Sequence, residues 1–249
     1  MHWTRSAAML LRGTCALFLC ALLVTGCQPS RQKETQTPAA VASGTALAPL
    51  PDLPVAGSTH YVVDDKASDV RILVYRGGPL AKVGHNHVLR VHDLSGDVYL
   101  VPQFHRSGFA LSFPVAKLEV DPPAARAEEG SDFDTALSPQ AIEATYKNMI
   151  GPAVLNGDLY PEIMLRSVAL TGPATSQASV RVTLHGMTRD IPVPLAIEKH
   201  SDTLRITGVF TLRTSDFGIT PFSVLGGGLQ VLDEVKVRFR IAAHRNTLE

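Results

Sequence analysis

The chain has 249 residues, of which 45% are hydrophobic, so it can bury the core of one large domain or of two small ones. Its 23 basic and 23 acidic residues leave no net charge, which argues against a nucleic-acid partner and against an acidic interaction tail. The cysteines are Cys15, Cys20 and Cys27. Residues after the first 26 include only one cysteine, Cys27, so no disulfide can form among them. Their fold must therefore depend on the hydrophobic core.

The N-terminal 26 residues are typical of a secretory signal peptide. Two arginines precede an uncharged apolar run, residues 15–24, which is short for a transmembrane helix and is followed by small residues. The sequence Leu-Val-Thr-Gly-Cys at residues 23–27 is similar to the lipobox of bacterial lipoproteins, whose cysteine is acylated and becomes the new N-terminus. We therefore predict a lipid anchor on Cys27; an ordinary signal peptide with a chance cysteine is the alternative.

The next segment, residues 28–58, is rich in Pro, Ala, Thr, Ser and Gly and has no hydrophobic period, which is typical of a disordered tether. We divide the chain into a signal peptide (residues 1–26), a lipidated cysteine with its tether (residues 27–59) and one folded domain (residues 60–244). A lipid anchor predicts a location in the cell envelope. Gln28, rather than Asp, after the cysteine favours the periplasmic face of the outer membrane.

From residue 60 onward the pattern is that of β-strands, because apolar and polar residues alternate and so give each strand one buried and one wet face. The predicted strands are, in chain order, residues 61–64, 70–75, 97–101, 109–115, 163–170, 180–184, 191–197, 204–213 and 235–241. Pro192 and Pro194 fall on the outward face of their strand. Many short strands of this kind predict an all-β barrel or sandwich, and a barrel of about eight strands can enclose a small apolar ligand.

One segment has the period of a helix. Ser138 is a good N-cap and Pro139 suits the first helical position. Apolar and aromatic residues then recur at helical spacing until Gly151 and Pro152 end the pattern. We predict one helix, about residues 139–150, inserted between two halves of an antiparallel structure. A parallel α/β sheet would need several such crossover helices.

The densest unusual segment is residues 82–93, which holds three of the nine histidines. In a strand, His85 and His87 would share one face, with Asn86 on the other. The pair could ligate a metal or a haem, with His92 or His105 as a third ligand. The alternatives are that the pair holds the polar head of a ligand, or is hydrogen-bonded and fixes a turn.

Several short motifs carry a resemblance to a known family. They are, in chain order, Tyr-Val-Val-Asp (61–64), Phe133 with Leu-Ser (137–138), Tyr-Pro-Glu-Ile (160–163), Val-Thr-Leu-His-Gly-Met-Thr-Arg-Asp-Ile-Pro-Val (182–193) and Ser-Asp-Phe-Gly-Ile (215–219). Their order resembles that of the YceI-like family of periplasmic proteins over residues 61–243. The resemblance implies a lipocalin-like antiparallel barrel whose elongated apolar cavity holds a polyisoprenoid or similar long lipid, quinone-type molecules included. It implies no shared catalytic activity.

The residues that we expect to contact such a ligand fall into two groups. His85 and His87 would lie near its polar head. Here the sequence departs from the family, because Gly-His-Asn-His stands where many members have a single His-Leu-Gly-like element, so we expect the polar end of the pocket to differ from theirs. The strand alternation turns a second, apolar group inward: Phe109, Leu111, Phe113, Leu165, Leu184, Phe210, Leu212, Val237 and Phe239. These residues line either a hollow cavity or an ordinary packed core, and alternation is the same in both cases.

Three hypotheses follow for function. The first is a binding module for a long-chain isoprenoid or quinone-like lipid, with no other cofactor. The second is a redox accessory whose metal or haem is held by His85 and His87. The third is an enzyme that acts on a lipid head group with a histidine as general base, although the sequence has neither a Gly-x-Ser-x-Gly nor a His-Glu-x-x-His motif. Whether the chain forms a homodimer stays open.

Overall fold

The computed structural model describes residues 47–172 and 175–247. The predicted signal peptide, the predicted anchor at Cys27 and most of the predicted tether lie outside these residues. In the described part of the chain, no helix combines the length and the apolar character that crossing a bilayer requires.

The described chain is built from eleven strands. They are β1 (Thr59–Gly77), β2 (His87–Arg90), β3 (Ser95–Leu100), β4 (Gly108–Pro114), β5 (Glu119–Val120), β6 (Glu162–Thr171), β7 (Thr175–Leu184), β8 (Met187–His200), β9 (Thr203–Arg213), β10 (Ser223–Val224) and β11 (Leu229–Arg245). Eight of them close an antiparallel barrel in the order β1-β3-β4-β6-β7-β8-β9-β11, with β11 pairing back onto β1. The predicted fold class is therefore confirmed, and closure removes the exposed edges of the sheet.

Strand β1 is one long element where the sequence predicts two strands. Its first part pairs with β3 and its last part pairs with β2, while β11 pairs with both parts. The register against β11 shifts between Asp64 and Asp69. There, the Ser68 hydroxyl donates to the carbonyl of Asp64 at 2.6 Å. The polar residues at this point predict a gap between two strands, but in the structure they form an irregularity within one continuous strand.

The described residues form two α-helices, one more than the sequence predicts. Helix α2 (Pro139–Ile150) has the predicted bounds, and its N-cap Ser138 accepts a hydrogen bond from the amide of Ala141 at 3.2 Å. Helix α1 (Pro123–Glu128) was not predicted, since six residues that begin with a proline are too short to show a helical period. It covers the outer face of β2, where Val88 packs in a small second core with Leu73, Ala125 and Phe133.

The barrel has two different ends, the packed end and the open end. The packed end is where β1 begins at Thr59 and β8 turns into β9 at Ser201 and Asp202. The open end is where β1 finishes at Gly77 and β7 turns into β8 at His185 and Gly186. The strand registers also bring helix α2 and the 214–228 segment to the open end.

Candidate functional site: an apolar cavity in the barrel

An apolar cavity of about 330 Å³ occupies the interior of the barrel. This volume lies at the lower limit of ordinary small-molecule pockets, which span about 300–1,000 Å³. Inward-facing side chains such as Ile72, Leu111 and Phe210 line it and remain only partly buried. Because a filled interior would bury them fully, the barrel is hollow in this region.

All nine apolar residues that the alternation turns inward line this cavity. They are Phe109, Leu111, Phe113, Leu165, Leu184, Phe210, Leu212, Val237 and Phe239. Glycine also shapes it: Gly208 lies opposite Phe239 in the ladder, and a Cβ on Gly208 would come within 2.5 Å of the Phe239 ring. The Phe239 ring therefore needs the space that glycine leaves free. That these nine side chains contact a ligand remains a prediction.

The polar side chains among the described lining residues are His87, Thr145, Asn148 and Thr214. They come from the start of β2, from helix α2 and from the turn that follows β9, all toward the open end. Asn148 and Phe222 are both lining and exposed to solvent. The cavity therefore meets solvent at the open end, and its polar groups are concentrated near that opening.

Exposed apolar side chains cluster around the opening. Leu80 and Val83 lie on one loop, and Phe222 and Leu225 lie on a second, and all four are exposed. The two loops are joined by a hydrogen bond from the amide of Leu80 to the carbonyl of Gly228 at 2.7 Å. Exposed apolar groups that continue into an apolar cavity are typical of a surface that meets a hydrophobic ligand.

A buried carboxylate holds the His87 ring. Nδ1 of His87 lies 2.6 Å from Oδ2 of Asp121, whose side chain is fully buried. Oδ1 of Asp121 accepts hydrogen bonds from the amide of Val88 and from the guanidinium of Arg126, at 2.9 and 2.5 Å. Burial alone would raise the pKa of Asp121, but His87, the Val88 amide and Arg126 together outweigh it and lower the pKa. Asp121 is therefore ionised at neutral pH.

The sequence predicts that His85 and His87 share one face of a strand, and the structure differs from this prediction. Strand β2 starts at His87, so His85 and Asn86 precede it. The two histidine rings do lie close, with centroids 6.3 Å apart, but His85 is not among the residues that line the cavity. Burial lowers the pKa of His85, and its Nδ1 is buried without a hydrogen-bond partner.

Asn86, between the two histidines, has a structural role. Its side-chain Oδ1 accepts a hydrogen bond from the backbone amide of Arg76 at 3.0 Å, and its side-chain Nδ2 donates to the backbone carbonyl of Asp132 at 2.9 Å. Asn86 thus ties the segment before β2 to β1 on one side and to residues 131–133 on the other.

The metal or haem ligand set of the second hypothesis is not assembled in the described residues. In residues 47–172 and 175–247, no group of three or more His, Cys, Asp or Glu side chains is placed to hold a metal ion. His92 is hydrogen-bonded to Glu119 at 2.7 Å. His105 lies between β3 and β4, at the packed end. Neither joins His85 and His87.

Three of the family motifs, those at residues 160–163, 182–193 and 215–219, meet at the open end of the barrel. His185 and Gly186 form the two-residue turn between β7 and β8, and both have positive φ, 52° and 71°. The Tyr160 ring packs edge-on against His185 at 4.9 Å, and a Cβ on Gly186 would clash with it. Nδ1 of His185 lies 3.2 Å from the carbonyl of the buried Phe217. None of these four residues lines the cavity, so they shape its surroundings, whereas Ile163, Leu184 and Ile219 of the same motifs line it directly.

Sequence reasoning missed the polar groups that support the site. Asp121 and Arg126 are separated from His87 by more than 30 residues, so no local pattern points to them. Asp233 was missed as well. It accepts hydrogen bonds from Arg213, Thr214 and both the amide and the hydroxyl of Ser215, which together hold the turn after β9 and lower the pKa of Asp233.

Comparisons with known proteins agree with this architecture. The structure is similar to that of BcnA from Burkholderia cenocepacia, at 17% identity and a TM-score of 0.53, over 72% of this chain and 98% of that one. It is also similar to a polyisoprenoid binding domain from Saccharophagus degradans implicated in plant cell wall breakdown, at 12% identity and a TM-score of 0.50, over 75% of this chain and 98% of that one. No curated protein matches the sequence. The family model for the YceI-like domain matches residues 61–243, so the chain belongs to the YceI-like family.

Proposed function

We propose that the protein binds one long-chain isoprenoid or similar lipid inside its barrel. The observation that carries this proposal is the hollow apolar cavity of about 330 Å³ that opens at one end. Transfer of a chain from water into such a cavity gains about 0.8 kcal/mol for each buried CH₂ group. The polyisoprenoid binding domain from Saccharophagus degradans, which has the same fold, supports this choice of ligand.

We further propose that the protein is a lipoprotein of the cell envelope, favouring the periplasmic face of the outer membrane. Its role there would be to carry, store or protect a membrane-derived lipid, without catalysis. The lipobox-like sequence ending at Cys27 supports this location. Cys27→Ser should release the folded protein from the membrane fraction, as judged by fractionation and immunoblotting. A folded Cys27→Ser protein that still sediments with membranes would contradict the anchor.

The binding proposal can be tested with a fluorescent apolar probe. The purified protein should increase the fluorescence of N-phenyl-1-naphthylamine, and geranylgeraniol should displace the probe with one site per chain. Phe210→Trp should weaken this binding, because residue 210 faces the cavity. Val209→Trp is the matched control, since Val209 is the neighbouring residue on the same strand and is exposed on the outer face. If the wild-type protein binds neither compound, the proposed function is wrong.

A further inference from the structure

We propose that Nε2 of His87 accepts a hydrogen bond from a hydroxyl group at the polar end of the bound chain. The inference rests on the proposed function and narrows the ligand to long-chain lipids that end in a hydroxyl, such as a prenyl alcohol. It selects them over lipids that end in a phosphate or a carboxylate.

The position of the proton on the His87 ring follows from the contact of the ring with Asp121. Nδ1 faces Oδ2 of Asp121 at 2.6 Å, and Asp121 also accepts from Val88 and Arg126. An ionised carboxylate only accepts hydrogen bonds, so Nδ1 must carry a proton and donate it. In the neutral imidazole, Nε2 is then the nitrogen with the free lone pair.

The direction of Nε2 follows from the position of Asp121 on the other side of the His87 ring. The two ring nitrogens of an imidazole point to different sides, and Asp121, fully buried outside the cavity, takes the Nδ1 side. His87 itself lines the cavity, and no described protein group makes a hydrogen bond to its Nε2. A polar atom beside an apolar cavity is unfavourable without a partner, and a hydroxyl group on the ligand supplies one.

The charges around the His87 ring disfavour an anionic head group. Asp121 is already balanced by Arg126, and the nearby Arg76 guanidinium donates to the carbonyl of Gly84. His85, the other titratable group beside the ring, is uncharged because burial lowers its pKa. Among the described residues that line the cavity there is no lysine or arginine. An anionic head group would therefore lack a cationic partner and would lie near the Asp121 carboxylate, which is unfavourable.

Three ligands with the same chain separate these possibilities. Geranylgeraniol donates a hydrogen bond, its methyl ether does not, and geranylgeranyl monophosphate carries charge. Displacement of N-phenyl-1-naphthylamine from the wild-type protein gives the affinity of each. The alcohol should bind about two- to tenfold more tightly than the ether, as expected for one hydrogen bond inside a protein, and the phosphate should bind more weakly than the alcohol.

The residue is tested with one variant and one matched control. His87→Leu should bind the alcohol and the ether equally, because it removes Nε2 and keeps the lining apolar. His92→Leu makes the same chemical change at a histidine that bonds to Glu119 and does not line the cavity, so it should keep the wild-type preference. The wild-type comparison needs no variant and remains decisive if His87→Leu is unstable.

The outcomes separate the two proposals. If the wild-type protein binds the alcohol and the ether with equal affinity, or binds the phosphate most tightly, the inference about His87 is wrong while lipid binding stands. If none of the three compounds displaces the probe, both the inference and the proposed function are overturned.

Discussion

The two ends of the barrel have the same strand alternation but fill their interiors differently. At the packed end, Tyr61, Ala178, Leu204 and Ala243 have no exposed surface and belong to one hydrophobic core. Toward the open end, inward-facing side chains such as Leu212 stay partly exposed and line the cavity. The packed end is therefore filled by its own side chains, while the open end leaves room for a ligand. There, buried polar groups such as Asp121 and Arg126 add structural support.

The largest effect should come from breaking the buried ion pair at the open end. Arg126→Leu leaves the buried Asp121 carboxylate without its cationic partner, which is itself buried in the wild-type protein. Removal of one partner of such a pair typically costs about 3–5 kcal/mol of unfolding free energy. Denaturant unfolding measures this loss. Arg205→Leu is the control, because Arg205 forms an exposed pair with Glu198 and should change stability by less than about 1 kcal/mol. Equal effects would contradict a structural role for the buried pair.

Truncation of a leucine should distinguish the two ends on a single strand. Leu204→Ala at the packed end should destabilise the protein by about 2–5 kcal/mol, since it creates a new cavity in a filled core. Leu212→Ala should cost less, because Leu212 already faces a hollow and loses fewer contacts. Both residues lie on β9, so the backbone setting is matched. Similar losses for the two variants would show that the interior is packed throughout.

Enlargement of a side chain gives the complementary test on β7. Ala178→Leu should cost about 1–3 kcal/mol, because it overpacks the filled end, and should leave probe binding unchanged. Leu184→Trp should cost less stability and should reduce binding of N-phenyl-1-naphthylamine, because residue 184 lines the cavity. If Leu184→Trp destabilises the protein as much as Ala178→Leu and binding is unaffected, the cavity is not the binding site.

Acid should loosen the open end first. The pKa of Asp121 and the pKa of Asp233 are both lowered in the folded protein, below about 3.9 for an unfolded aspartate. Their stabilisation is therefore complete well above pH 3.9 and is lost as the pH falls through the folded pKa values. Hydrogen exchange should show protection lost at the amides of Val88 and Ser215, which donate to these carboxylates, before it is lost in the core of the packed end. Uniform loss along the barrel would contradict this order.

Local patterns predicted the elements of the fold but not the groups that link distant parts of it. The period-two alternation located the barrel strands, and the Ser138 cap located helix α2, because each pattern is written within a few neighbouring residues. The inward face was likewise predictable, whereas its being hollow depends on how the whole barrel closes. The partner of His87 was not predictable, because Asp121 lies 34 residues away and reaches it through the tertiary fold.

Whether the open end of the barrel holds a long-chain lipid can be measured by mass spectrometry of the native protein. The full chain should be purified from its own membranes, extracted with organic solvent and compared with Phe210→Trp prepared in the same way. We expect close to one equivalent of a long-chain lipid from the wild-type protein and much less from the variant. Equal amounts of lipid from both proteins, or none from the wild type, would contradict it.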